Sequence, residues 1–242
     1  MAKSSKPFMK SRDGAITYTE DGKFMYAEKE GVKVRLDLFA GHYYKLRAVS
    51  GIPVLEIDGL RMQLVRDFKT PLDYAGEVVR GLKIPEKGSF TILDTCMGLG
   101  YTAIAASRPA SVKTVVTFEV SEAVIALAKW NPYSDPLFEK GGKIVVMEGS
   151  ALGHLRNFES SMFDFAIHDP PRFSHAPELY SSEFYGELYR VCRPGARIFH
   201  YTGSVGKGKG RNIAGGVGKR VVQAGFRSVS ESARLQGIFA TK

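Results

Sequence analysis

"ILDTCMGLGYTAIAAS", residues 92–107, reads as a buried apolar strand that enters a glycine turn and then a helix. Gly98 and Gly100 can take positive φ and let a ligand approach the backbone. The helix behind them offers unpaired N–H groups and the positive end of its dipole. Gly98-x-Gly100-x-x-Ala103 fits the G-x-G-x-x-G/A pattern of nucleotide-binding turns. The next strand pattern, "VVTFEV" at 115–120, carries Glu119, 21 residues after Gly98. An acid at that spacing, at a strand's C-terminal end, can accept both hydroxyls of a ribose. Turn and acid together predict an adenosine-type ligand in the crevice above a sheet.

Outward from this unit, strand and helix patterns alternate. "EAVIALAKW" reads as a helix, and "KIVVMEG" and "FDFAIHD" as strands. "SSEFYGELYRVC" reads as a helix that "RPG" turns into the strand "ARIFHYTG". A helix near 212–223 and a strand pair, "FRSVSES" and "LQGIFA", complete the pattern. Such alternation predicts an α/β fold with a doubly wound, mostly parallel, Rossmann-like sheet and an antiparallel C-terminal strand. On the N-terminal side, "KTPLDYAGEVVRGL" predicts a helix. Thr70 is its cap, Pro71 its first position, and Asp73 completes a capping box; Leu72, Ala75, Val79 and Leu82 form the expected inner face. Residues 14–68 alternate as short strands, with Asp-Gly turns at 21–22 and 58–59. We expect a small antiparallel β subdomain over 1–68, with residues 1 to about 12 frayed, and the α/β domain over 69–242.

The chain has 242 residues, 44% of them hydrophobic, and a net charge of +9 from 34 Lys and Arg against 25 Asp and Glu. The surplus favours anionic partners such as nucleic acid. Two cysteines, Cys96 and Cys192, suit a reducing cytosol and exclude a disulfide framework or a cysteine metal cluster. The basic start lacks the apolar stretch of a secretory signal, and no apolar run approaches the roughly 18 residues of a membrane span. These features predict a cytoplasmic protein with no metal and no membrane partner.

The second chemical motif is "FDFAIHDPPRFSH", residues 163–175. Pro170 and Pro171 cannot continue a central strand, so they stiffen its exit and hold Asp169 in place. His175 follows on the loop as a group able to take up a proton, and His168 reads as a structural, hydrogen-bonded residue. Neither this strand nor "RIFHYTG" carries a nucleophilic cysteine, which argues against methylation at cytosine C5.

Asp94, four residues before Gly98, together with Glu119, resembles motifs I and II of the class I S-adenosylmethionine-dependent methyltransferases. The resemblance runs from about residue 70 to the end. It implies that Asp94 lies near the methionine ammonium, and that Cys96, Gly98 and Gly100, with Tyr101 and Thr102 at the helix start, cradle the cofactor. Glu119 and Val120 would border the ribose and adenine. "EGSA", with Gly149, Ser150 and Ala151, looks like the adenine-edge motif, with Ser150 where Asp is common. Asp169-Pro170-Pro171 resembles motif IV of amino-methyltransferases. There the acid and the first proline carbonyl accept hydrogen bonds from the target amine, and an aromatic stacks on the base. Arg172 occupies the aromatic position and Phe173 follows it.

A second resemblance is to the spermidine synthases. "VLEIDGLRMQLVRDFKTPLDYAGEVV" is similar to their N-terminal hairpin and entry helix, and the segment from Asp169 to "RPGARI" to the stretch after their catalytic acid. Those enzymes use decarboxylated S-adenosylmethionine, and the likeness implies Asp169 as the base that deprotonates the attacking amine. The whole-chain pattern is similar to a family of predicted archaeal methyltransferases. The acids around the motifs are Asp169, Glu178 and Glu183. The glycine turn lacks the synthases' acidic triple-glycine form, which favours methyl transfer.

"TGSVGKGKGRNIAGGVGKR", 202–220, holds five Lys or Arg and no acid; its Gly210 breaks the P-loop pattern, leaving a basic loop that suits either phosphate contacts or a solvated connector. His42 to Arg47 is the nearest approach to a basic-aromatic cluster. The expected activity is therefore transfer of a methyl group from S-adenosylmethionine, with S-adenosylhomocysteine as product, to an amino nitrogen of an RNA base in tRNA or rRNA. A small-molecule amine in an aminopropyltransferase is the alternative, and a non-catalytic RNA-binding relative a third reading.

Overall fold

In this computed structural model, residues 7–11, 14–203 and 213–242 are described. The alternating N-terminal stretch forms two four-stranded antiparallel sheets. The first is β1 (Pro7–Lys10), β2 (Thr17–Glu20), β3 (Met25–Lys29) and β4 (Val32–Arg35), in that order. The second is β5 (Asp37–Ala40), β6 (His42–Val49), β7 (Ile52–Ile57) and β8 (Leu60–Arg61). The two Asp-Gly pairs close hairpins, and at 58–59 both residues take positive φ, as a tight two-residue turn requires. Residues 7–10, expected to fray, instead pair with β2, because Phe8 and Met9 pack against the core. Within 42–47, Tyr44 and Leu46 point inward, Lys45 pairs with Glu56 at 3.1 Å, and Arg47 lies 3.6 Å from Glu20. That segment is a packed strand with its cations answered by acids.

Helix α1 (Pro71–Leu82) starts as the capping box predicts: the Asp73 N–H donates to Thr70 Oγ1 at 3.2 Å, and the Thr70 N–H to Asp73 Oδ2 at 2.9 Å. Its inner face is rotated from the expected one. Tyr74, Ala75, Val78 and Leu82 are buried, whereas Leu72 and Val79 are only half-buried. Packing against the following helix decides the rotation, and it carries Tyr74 toward the top of the central sheet.

The alternating part follows in chain order. It comprises β9 (Phe90–Asp94), α2 (Tyr101–Ser107), β10 (Val112–Glu119), α3 (Glu122–Lys129), β11 (Ile144–Glu148) and α4 (Ala151–Leu155). Then come β12 (Phe163–His168), α5 (Ser182–Val191), β13 (Cys192–Tyr201), α6 (Ile213–Gln223), β14 (Arg227–Ser232) and β15 (Gly237–Thr241). The seven strands lie in the order β11-β10-β9-β12-β13-β15-β14, parallel except that β15 runs antiparallel to both neighbours. This is the mixed α/β, mostly parallel, Rossmann-like architecture that the alternation predicts. Strand β13 begins at Cys192, before "RPG" instead of after it. Gly195 takes φ 83°, and the pairing with β12 shifts register there.

The strand order places the site. From β9 the chain winds outward through β10 to β11, then returns across to β12 on the other side of β9. The reversal opens a crevice above the carboxyl ends of β9 and β12, where ligands bind in open α/β sheets. The register Ile167↔Asp94 sets the glycine turn beside the Asp-Pro-Pro exit. The N-terminal sheets close the crevice from above. The Tyr18 hydroxyl donates to the Trp130 carbonyl at 2.8 Å, and Leu46 and Leu55 share one apolar cluster with Ala103 and Val124. Among the described residues, no helix is long and apolar enough to cross a membrane. Residues 204–212 of the basic loop lie outside the described residues.

Candidate active site

The glycine turn is held from both sides. Gly98 takes φ 53° and Gly100, the N-cap of α2, takes φ 78°. A Cβ on Gly100 would lie 2.4 Å from Leu137 Cδ1, so both conformation and space require glycine there. The Gly98 N–H donates to Glu119 Oε2 and the Ser121 N–H to Glu119 Oε1, each at 3.0 Å. Glu119 thus ties the end of β10 to the turn. Burial raises its carboxyl above the usual carboxylate range, and these backbone donors pull the other way.

Asp94 lies beneath the turn and is fully buried. Thr102 Oγ1 donates to its Oδ1 at 3.0 Å and Thr117 Oγ1 to its Oδ2 at 2.6 Å. Burial pushes this carboxyl up to about 7, with the two hydroxyls opposing. Asp94 is therefore a buried anchor of the β9–α2 turn, and its side chain does not line the crevice.

Above the turn is a cleft of about 280 Å³. Its floor includes Cys96, Met97 and Gly98, and Tyr101 and Thr102 border it. One end is formed by Glu119, Val120, Gly149, Ser150 and Ala151. The other is formed by Asp169, Pro170, Pro171 and His175. Most of the residues singled out from the two motifs thus meet around one cavity. Asp94, Gly100 and Arg172 do not line it. Three side chains within it are already engaged. Ser150 caps α4 through the Gly153 N–H, the Thr102 hydroxyl serves Asp94, and the Tyr101 hydroxyl donates to the Pro53 carbonyl at 2.6 Å. Arg172 is exposed, and Phe173, 56% exposed, packs edge-on against Tyr180. Neither is placed to stack on a ligand in the cleft, because the chain turns outward after Pro171 into a short 3-10 helix at Pro177–Tyr180.

At the Asp169 end, burial pushes the carboxyl up to about 7. The buried Tyr74 hydroxyl stands close enough to act on this carboxyl as a hydrogen-bond donor, which pulls that value down. Behind Asp169, the Thr95 hydroxyl lies 2.6 Å from His168 Nδ1, and His168 Nε2 lies 3.0 Å from the Leu179 carbonyl. The carbonyl can only accept, so Nε2 carries the proton and Nδ1 accepts from Thr95. Burial lowers this histidine to about 3, so it stays neutral, the structural residue the sequence suggests. His175 sits at the exposed mouth, with its ring 6.5 Å from that of His42 on β6. His42 in turn contacts Asp58 at 2.5 Å.

The cleft carries the carboxylates of Glu119, Asp169 and Glu178, and no Lys or Arg among its described lining residues. An acid-rich lining without fixed cations suits a positively charged ligand. The motifs of the sequence give no pointer to part of the lining: Tyr44, Leu55 and Ile57 from β6 and β7, Met62 and Gln63 from the segment after β8, and Tyr74 from α1. The only signal for Tyr74 was a tyrosine on a helix with an apolar face, and Gln63 offered none.

Tyr74→Phe tests the pairing at this end. Removing this one weakly engaged hydroxyl should leave stability within about 1 kcal/mol. The pH midpoint of activity should rise above about 7, because a group that lowers the Asp169 value is gone. A pH–rate profile with an unmoved midpoint would separate Tyr74 from Asp169.

No family model matches the chain. It is 41% identical over 225 residues to the uncharacterized protein MJ1233 of Methanocaldococcus jannaschii, covering 92% of this chain and 75% of that protein. Over 113 residues it is 32% identical to polyamine aminopropyltransferase 2 of Streptomyces coelicolor, 45% of this chain but 20% of that protein. Among solved structures, a spermidine synthase in complex with the transition state analogue AdoDATO superposes with a TM-score of 0.68 at 16% identity, covering 100% of this chain and 85% of that one. At that identity the likeness shows the fold alone.

Proposed function

We propose, for a chain that belongs to the family of MJ1233 from Methanocaldococcus jannaschii, the activity of a transferase that moves the methyl group of S-adenosylmethionine to an amine nitrogen. The observation that carries this reading is Asp169. It is a half-buried carboxylate raised to about 7, on a proline-stiffened strand exit, in the same cleft as the glycine turn and Glu119.

The residues present fit such a cofactor. Glu119 keeps free lone pairs beside its two backbone donors and can accept from both ribose hydroxyls. The acid-rich lining favours a sulfonium cation. When bound, the cofactor supplies an electrophilic methyl group on sulfur and departs as neutral S-adenosylhomocysteine. Asp169 accepts a hydrogen bond from the acceptor amine and aims its lone pair. With an affinity for protons near neutrality, it also takes the proton that the nitrogen sheds. Pro170 and Pro171 hold this carboxylate in place, so that orientation supplies much of the effect.

The acceptor we favour is a small amine. An RNA base remains the second reading, carried by the net charge of +9. Against it stands the cleft, whose described lining offers three carboxylates and no Lys or Arg to meet a phosphate. The test is an incubation with S-adenosylmethionine labelled in its methyl group, together with a panel of small amines and total RNA. Label on a small amine is the expected result. Label on RNA would overturn the acceptor assignment. Aminopropyl products formed only from the decarboxylated donor would overturn methyl transfer.

A further inference from the structure

Gln63 reaches the cleft from the segment between β8 and α1, with its amide in a fixed orientation. The Leu55 N–H donates to Gln63 Oε1 at 2.7 Å. A backbone N–H requires an oxygen partner, so the amide cannot be flipped and Nε2 faces the other way. Nε2 lies over the glycine turn, 3.8 Å from where a Cβ on Gly98 would stand. No described group accepts a hydrogen bond from it, and Gln63 lines the cleft.

We propose that Gln63 is a specificity residue that selects the carboxylated form of the sulfonium ligand by donating its amide N–H to the ligand's carboxylate. The inference rests on the methyl-transfer reading. A sulfonium sulfur bears three substituents. With the adenosyl group at the Glu119 end and the methyl group facing Asp169, the third substituent falls over the turn, beneath Gln63. In methyl transfer that substituent is the amino-acid chain, whose carboxylate needs donors. In aminopropyl transfer the aminopropyl group would face Asp169 and the methyl group would lie over the turn, where it needs none.

Several competing donors near the turn are already engaged. The Thr95, Thr102 and Tyr101 hydroxyls are engaged by His168, Asp94 and the Pro53 carbonyl. No described Lys or Arg lines the cleft. The acids among the described lining residues are placed for other tasks: Glu119 is tied to the Gly98 and Ser121 N–H groups at the adenosyl end, and Asp169 and Glu178 lie at the acceptor end, while Asp94 is buried beneath with both oxygens occupied.

The experiment is calorimetric titration of the wild type, Gln63→Glu and Gln63→Met with S-adenosylmethionine and with its decarboxylated form. Gln63→Glu keeps an oxygen for the Leu55 N–H and replaces the donor with a carboxylate. The wild type should favour the carboxylated ligand by about 10- to 100-fold, the range of one charge-assisted hydrogen bond. Gln63→Glu should reverse the preference, and Gln63→Met should bring the ratio close to one. A ratio unchanged in Gln63→Glu, or a wild type that prefers the decarboxylated form, would overturn the inference. A wild type that binds neither form would overturn the sulfonium reading beneath it.

Discussion

Asp169→Asn should lower kcat by about 10²- to 10⁴-fold, the usual contribution of a positioned acid–base group, while the affinity for S-adenosylmethionine changes little. The amide keeps the size and one hydrogen-bond acceptor of the carboxyl but cannot take a proton. In the wild type the working form is the carboxylate, so the rate should rise with pH and level off above a midpoint near 7. The variant should lose that rise. Folding gives an independent check. A carboxyl raised from its ordinary value binds its proton more tightly in the folded protein. Its contribution to stability is complete below about pH 4 and is lost as pH rises through about 7. Above pH 7 the ligand-free variant, relieved of a half-buried charge, should melt no lower than the wild type. Undiminished turnover in Asp169→Asn would remove Asp169 from the chemistry.

Glu119→Ala should weaken binding of the sulfonium ligand by about 100-fold or more. Two charge-assisted hydrogen bonds to ribose hydroxyls contribute about 1.5–3 kcal/mol each. The Gly98 and Ser121 N–H groups lose their acceptor as well, so the turn loosens. A ligand lacking the 2′-hydroxyl separates the two effects. It should bind the wild type much more weakly than the parent ligand does, and bind Glu119→Ala about equally. Equal losses in both proteins would show that Glu119 acts only by shaping the turn.

Asp94 shows how one motif residue carries two readings. Four residues before Gly98, it was expected near the ligand's ammonium. In the fold it is the carboxylate that orients Thr102 and Thr117 beneath the turn. Spacing located it at the end of β9 but did not reveal the direction of its side chain, which depends on hydroxyls contributed by α2 and β10. Arg172 is similar. Its place after Pro171 was readable, but its exposure follows from the outward path to the short helix at Pro177–Tyr180.

The amino-acid sequence by itself determined the βαβ unit around 92–119, the capping of α1, the Asp-Gly hairpins and the alternation that makes a parallel sheet. Each rests on local chemistry: glycine where φ is positive, a carboxylate at covalent reach from the turn it serves, and a period of 3.6 or 2. Only the tertiary structure decided that Asp169 stands beside the glycine turn, because that depends on β12 returning across β9. It alone decided that Tyr74 points inward, through packing between α1 and α2. It also decided that Gln63 reaches the cleft, because the N-terminal sheets fold over the crevice and the Leu55 N–H sets the amide's direction. These contacts join segments far apart in the chain, and no local spacing encodes which buried faces will meet.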